Sequence, residues 1–450
     1  MEATEMAISI KKKTGILLSG LVLLAALAGC SKSQDAPLSR FVAVTESVSD
    51  EDGAAATRTT VSESGGTFKI NWTAGDELSI GGIKFTASSV SGSTAEFTTT
   101  SSDHPSSPYK ACYPYSIAGW SSETMSVTLP SSQTEPSSAL VSGFPMYAES
   151  TTSTLQFKNL CALVQLNLQL SAGFASQTVT SIELSCEGSA LSGKCSVVSD
   201  GDGVWKAVPS GSSGSVTLTC DKAIASGSSS VFYICVPEGS YNPLKITVTT
   251  DAGTYVRTSN KAIEAVRSKV TPVSLTLDPA AGHAWVDLGL SSGSKWATMN
   301  VGATSVSSYG DTHQWSEAST LASSWGGLWR LPSSSEYEEL ASQTYWSWTD
   351  NYNSTGAKGF IVYKAKFDED KGKINGSPTG SYSLSDNHIF LPGDHKIDDQ
   401  PNMGGWYWSS TTSGEQVYRM VFNGVNSTRH TTDSDALADK TSYGCVRPVL

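Results

Sequence analysis

Charge is scarce in this chain. Asp, Glu, Lys and Arg make up 16% of its 450 residues, while Gly, Ser and Thr abound. That argues against long surface helices laced with ion pairs and suits many short strands and turns, so composition reads as mainly β. Positive charge is scarcer still: the formal charge is −12 and the isoelectric point is near 5.0, with no basic patch. Such a surface repels phosphate backbones and anionic lipid, which excludes nucleic acid as a partner. The six histidines show neither HExxH nor HxH spacing, and CxxC, Gly-x-Ser-x-Gly and Walker loops are absent. Zinc proteases, zinc ribbons, thioredoxin-like sites, nucleophile-elbow hydrolases and P-loop enzymes lose their signatures together. No catalytic residue, cofactor or metal is expected.

Long apolar runs are missing too, apart from one. Lys11-Lys12-Lys13 precede an apolar stretch from Gly15 to Ala28 that ends in Leu27-Ala28-Gly29-Cys30. A charged start, a short apolar centre and small residues before the cut make a secretory signal, too short to span a membrane after processing. Leu-Ala-Gly-Cys resembles the lipobox of bacterial lipoproteins, which implies acylation of Cys30 as the new N-terminus. Losing residues 1–29 removes three lysines and two glutamates, net +1, which takes −12 to −13. Residues 30–56 lack a sustained period and read as a flexible tether.

From about residue 57 the pattern alternates. Thr67 to Trp72, Gly75 to Ile80 and Ile83 to Phe85 have period 2 with Gly/Asp turns, the mark of antiparallel sheet with one buried face. Ala162 to Gln169, Val179 to Ser185, Val216 to Thr219, Val231 to Val236 and Leu244 to Thr249 continue as strands. Eight cysteines less Cys30 leave seven, so at least one stays free or pairs between chains. Cys186 with Cys195, and Cys220 with Cys235, are placed to bridge hairpins in an oxidising compartment. Small buried thiols are the equal alternative.

Arg58-Thr59-Thr60, Phe68, Trp72 and Gly75-Asp76 resemble the start of the fimbrillin family of Bacteroidales, and Leu155 to Leu160 resembles its second half. The resemblance covers about 57–277. It implies two tandem transthyretin-like β-sandwiches, 57–158 and 159–278, in a lipoprotein precursor of a pilus subunit. It also implies cutting by an arginine-specific protease at Arg58, with Arg40 the runner-up. The cut opens a groove for a strand from another fimbrillin subunit, and main-chain hydrogen bonds supply the affinity of such strand addition.

Near residue 278 the pattern breaks, and nine of the twelve tryptophans follow Gly282. His283-Ala284-Trp285-Val286-Asp287-Leu288-Gly289, Lys295 to Ala303, Trp329-Arg330-Leu331-Pro332, Trp408-Ser409-Ser410 and Gly444-Cys445-Val446-Arg447-Pro448 resemble, in order, the Fibrobacter succinogenes major paralogous domain family. That likeness covers 283–450 and implies an α+β, C-type-lectin-like domain. A formylglycine-generating enzyme needs a cysteine pair, and Cys445 is the only cysteine after Cys235. Ser333-Ser334-Ser335-Glu336 has the form of a capping box ahead of a short helix. Trp285, Trp296, Trp329 and Trp408 are expected in the core.

Trp406, Tyr407, Arg419, Asn423, Asn426, Thr428, Arg429, His430, Thr431 and Asp433 are the candidate ligand contacts. Short hydrogen-bonding side chains beside aromatic rings suit sugar hydroxyls or peptide groups. The expected protein is a surface-exposed outer-membrane lipoprotein adhesin, a pilus-tip or accessory fimbrial subunit released into fimbriae after processing, with an unknown glycan or protein ligand. The alternative is a non-pilus lipoprotein that captures glycan or host protein. Either touches the membrane only through its lipid.

Overall fold

A computed structural model describes residues 38–46, 61–64, 67–121, 124–136, 143–201, 203–211 and 214–450. Cys30, Arg58 and the signal segment lie outside the described residues. No helix among the described residues is long and apolar enough to cross a membrane. The fold is mainly β, in several packed sheets.

The predicted alternation becomes sheet where turn chemistry permits it. Glu77–Ile80 and Ile83–Ser91 pair antiparallel across Gly81 and Gly82, whose φ values of 57° and 88° favour glycine. They belong to an eight-stranded sheet in the order Thr154–Gln156, Arg40–Val44, Thr94–Thr98, Ile83–Ser91, Glu77–Ile80, Tyr109–Tyr113, Met146–Ser150, Lys158–Asn159. Trp72 anchors the core beneath it, edge-on to Phe97, Tyr113 and Phe157 at 5.0, 5.1 and 5.4 Å.

Arg40–Val44 departs from the sequence reading, which placed it in the tether. It is a full strand with Phe41 and Ala43 completely buried, antiparallel to Thr94–Thr98 and parallel to Thr154–Gln156. Two inward apolar residues at period 2 suffice for a buried strand, but five residues are too few for the period to stand out in a polar segment.

The second sandwich sets Ser132–Thr134, Val216–Ile224, Gln177–Cys186, Leu244–Thr250 and Gly253–Thr258 against a three-stranded sheet of Ser229–Pro237, Cys161–Leu170 and Val270–Leu277. All five strands expected here from the sequence are present. The boundary at 158/159 does not hold. Gly193–Ser199 pairs with Thr124–Leu129, and both Cys195 and Ala207 enter the first core, while Ser132–Thr134 runs parallel to Val216–Ile224 in the second. Cys161–Leu170 explains the interlock. Its Ala162, Val164, Leu166 and Leu168 face one core, while Cys161 and Leu163 face the other.

None of the seven described cysteines is bonded to another. Cys186 lies in the second core and Cys195 in the first, and Cys220 and Cys235 belong to different sheets. Neither proposed hairpin bridge therefore exists. Burial instead raises the thiols of Cys195 and Cys220 to about 12, because a thiolate loses its hydration there.

The C-terminal part carries two helices, α1 (Trp315–Ser323) and α2 (Ser334–Gln343). Its ends close on each other: Ala297 N donates to Pro448 O at 3.1 Å, and Arg330 exchanges both main-chain bonds with Val449 at 3.0 Å. Arg447 is fully buried there, donating to Ala297 O and Phe390 O at 2.9 and 2.7 Å. The expected capping box is present. Ser333 Oγ accepts from Glu336 N at 3.2 Å, and the Glu336 carboxylate accepts from Ser333 N at 2.9 Å. Arg330 holds the same carboxylate with two bonds of 2.7 Å.

Burial raises the Glu336 pKa, but Arg330 and the Ser333 N–H outweigh it and bring it down to about 2. A folded pKa below the unfolded value of 4.5 gives stability that is complete above pH 4.5 and lost as pH falls towards 2. Glu336→Gln is expected to cost about 2 kcal/mol at neutral pH, allowing for the solvent-exposed Arg330. In denaturation series across pH the gap to wild type should close between about 4.5 and 2; a gap independent of pH would contradict the assignment.

Candidate functional site

The closing hairpin pairs Gln400–Ser413 with Gln416–Asn423, and Thr428–His430 adds to its edge. Paired residues share a face: Trp406 lies opposite Val421 and Val421 opposite His430, while Tyr407 lies opposite Met420 and Phe422 opposite Arg429. The expected contacts therefore divide between two faces. The inner face, with Tyr407, Met420 and Phe422, closes the main core of this part. The outer face carries Trp406, Arg419, Val421, Asn423, Thr428 and His430. Helix α1 covers that face at Trp408, which packs on Ala318 and Ala322, and leaves it half exposed from Trp406 towards the tip.

Three of the ten expected contacts are structural. Tyr407 is fully buried, its hydroxyl donating to Pro392 O at 2.7 Å. Arg429 lies over the Trp346 ring at 4.9 Å and donates to Ala341 O at 2.6 Å and Gly372 O at 3.0 Å. Thr431 is buried and donates to the Glu338 carboxylate. Strand period fixes the first two: one residue after an outward position lies an inward one.

Trp406 sits in the middle of a ladder. The His395 ring lies 3.6 Å from its centroid at 39°, and the Arg419 guanidinium lies 4.2 Å above it. His395 and Arg419 come from the strands on either side, His395–Ile397 and Gln416–Asn423, so they flank the indole. Its ring faces are thus engaged within the protein, and the surface offers the indole edge rather than an open stacking platform. His395 pairs with Asp394, and the Tyr309 hydroxyl bridges the Trp406 main chain at 3.3 Å on both N and O. Burial keeps the Tyr309 hydroxyl protonated by raising its pKa well above the ordinary value.

At the tip, Asn423 Oδ1 accepts from Val425 N at 2.8 Å and Asn426 Oδ1 from Thr428 Oγ1 at 2.7 Å, so both side chains shape the turn they occupy. The turn rests on Gly424, where a Cβ would stand 2.3 Å from the Trp348 ring. Asp433 caps the short turn at 434–436, accepting from Asp435 N and Ala436 N at 3.1 and 3.2 Å, and it holds His430 Nδ1 at 2.7 Å. His430, Asp433 and Asp435 bring one ligating atom each within 4.8 Å of the others. This is a hydrogen-bonded surface trio whose imidazole is already bound to a carboxylate.

Beside the hairpin lies an open groove of about 520 Å³, lined by Glu338, Ser342, Gly372, Ile374, Arg429 and Thr432 among others. The sequence reading missed both this groove and His395. Asp398 and Asp399, with φ of 48° and 63°, form the two-residue turn of a tight hairpin between Ile397 and Gln400. Asp-Asp between alternating residues was the available signal.

No protein-family model matches the chain, and no curated protein sequence matches it. Similar solved structures include a candidate cell adhesion protein from Bacteroides ovatus, 13% identical over 47% of this chain and 86% of that one, with TM-score 0.32. Another, from Bacteroides uniformis, is 17% identical over 47% of this chain and 89% of its own, with TM-score 0.30. A fimbrial protein from Bacteroides ovatus is 11% identical over 84% of this chain and 95% of that one, with TM-score 0.26. TM-scores at this level do not establish a shared fold.

Proposed function

We propose that the chain is a cell-surface adhesin in which two interlocked β-sandwiches present a ligand-binding domain through the outer face of its closing hairpin. The observation that carries this reading is the division of that hairpin. Its inner face is committed to the core, while its outer face holds Arg419, Asn423, Thr428 and His430 half exposed around a clamped indole. A rigid strand face with short polar groups and a cation suits non-covalent recognition of polar ligands, glycan or protein.

Attachment through Cys30 and release into fimbriae after cutting at Arg58 complete the proposal. Arg58 lies in sequence between Arg40–Val44 and Val61–Ser64, so a cut there severs the covalent tie of the first strand. A cut after Arg40 would leave that strand attached, which favours Arg58. The vacated position would accept a strand from another subunit. An anchored, uncut receptor for glycan or host protein is the second reading.

The test is an array of glycans and host surface proteins probed with the full chain, followed by variants. For any ligand found, Arg419→Ala combined with Asn423→Ala should weaken binding at least about tenfold, roughly 1.4 kcal/mol. Unchanged affinity in the folded double variant would remove the outer face as the site.

A further inference from the structure

Resting on the strand-replacement reading above, a more specific rule emerges from how Arg40–Val44 is held. Phe41 packs edge-on to Phe85 and Tyr109 at 5.3 and 4.9 Å, in a completely buried position. Ala43 is equally buried and leaves no room beside it for an aromatic ring. Beyond the strand, Thr45 is buried, with its hydroxyl donating to Ile70 O at 2.6 Å. Arg40 pairs with Glu96 at the entrance.

The next residue reaches the junction of the two sandwiches. The Glu46 carboxylate accepts from Arg267 Nη1 at 2.7 Å and Nη2 at 3.2 Å, and from Asn159 N at 3.2 Å, with Lys158 Nζ 3.5 Å away. The side chains of Glu46 and Arg267 are only 16% and 13% exposed. Glu46 is the one carboxylate in ion-pair range of Arg267 among the described residues. Arg267 and Asn159 sit where Cys161–Leu170 and Val270–Leu277 begin, at the junction of the two sandwiches.

Removing the first strand therefore takes away more than two apolar plugs. It leaves the Arg267 guanidinium with the Asn159 carbonyl at 3.0 Å and with Glu238, whose carboxylate is held at the Arg267 main-chain N, but without its side-chain ion pair. Removing one partner of a largely buried pair is unfavourable. A replacing strand that supplied only main-chain bonds and apolar side chains would leave that cost in place.

We propose that this slot selects its strand by an acid: the segment accepted from another subunit carries an aromatic residue, a small residue two positions on, and a carboxylate five positions after the aromatic, as Phe41, Ala43 and Glu46 do here. Main-chain pairing with Thr94–Thr98 and Thr154–Gln156 supplies sequence-independent affinity. The inward pair sets register, because a one-residue slip turns both side chains outward. The carboxylate then reads out correct register at Arg267, and charge complementarity of this kind discriminates between partners.

The experiment uses the full chain with a specific protease site inserted between residues 50 and 56. After cutting, the first strand is held without a covalent tie and is released in mild denaturant. Fluorescent peptides of sequence Arg-Phe-Val-Ala-Val-Thr-Glu and the corresponding Glu46→Gln form are then titrated, with anisotropy as the readout. The acidic peptide should bind at least about tenfold more tightly, and the difference should fall below about twofold in Arg267→Gln. Equal binding of the two peptides to the unaltered slot overturns the acid rule while strand replacement stands. Failure of both peptides to enter the vacated slot overturns strand replacement, and the rule with it. The comparison on the unaltered slot needs no folded Arg267 variant.

Discussion

Trp408→Ala is expected to destabilise the C-terminal part by about 3–5 kcal/mol, the usual cost of emptying an aromatic position in a packed core. The ring is completely buried among Val301, Ala318, Ala322, Leu331, Val417 and Val446, and its Nε1 donates to His313 O at 2.7 Å. Alanine would open a cavity between α1 and the hairpin and orphan that carbonyl. Trp406→Ala, two residues earlier, should cost clearly less, because its indole is half exposed and lies between two polar side chains. Chemical denaturation of the intact chain, followed by tryptophan fluorescence and near-ultraviolet dichroism, measures both. A Trp408→Ala protein as stable as wild type would show that the α1 contact contributes little.

Arg429→Ala is expected to cost about 2–4 kcal/mol through the fold rather than the ligand. Its guanidinium ties three segments together: it donates to Ala341 O at the end of α2 and to Gly372 O, and it stacks on Trp346. Each part-buried carbonyl left without its donor costs about 1 kcal/mol or more, with lost cation–π contact added. Burial lowers its pKa to about 10, so the side chain is still a cation at neutral pH and its bonds persist. Melting of Arg429→Ala should fall, while the folded fraction keeps wild-type affinity for any ligand of the outer face. Normal stability with lost binding would make Arg429 a ligand contact after all.

Those two residues also mark how far the sequence could be read. Trp408 was expected in the core and lies there, while Arg429 was expected in the site and its guanidinium is engaged within the fold. Of the four tryptophans expected in the core, Trp296, Trp329 and Trp408 are buried, while Trp285 is only partly buried. An arginine in a polar run becomes structural only if two carbonyls and an indole from distant segments arrive beside it, here from residues 341, 372 and 346. The capping box at Ser333 was legible because both partners lie three residues apart. Trp406 and Tyr407 could not be told apart in the sequence, and neither could the occupied ring faces of Trp406 be read there, since His395 arrives from a neighbouring strand.

Local periodicity and turn residues settled on their own that this is a mainly β protein, where five strands between residues 161 and 250 run, and where α2 starts. These properties depend on neighbours within a few positions. Pairing across the chain decided the rest. It interlocked the two sandwiches across residue 158, enlisted Arg40–Val44 into a core, put Cys186 and Cys195 in different cores, and divided the closing hairpin into a buried and an open face. Strand partners are chosen by complementary surfaces far apart in sequence, and no single segment encodes the face it will meet.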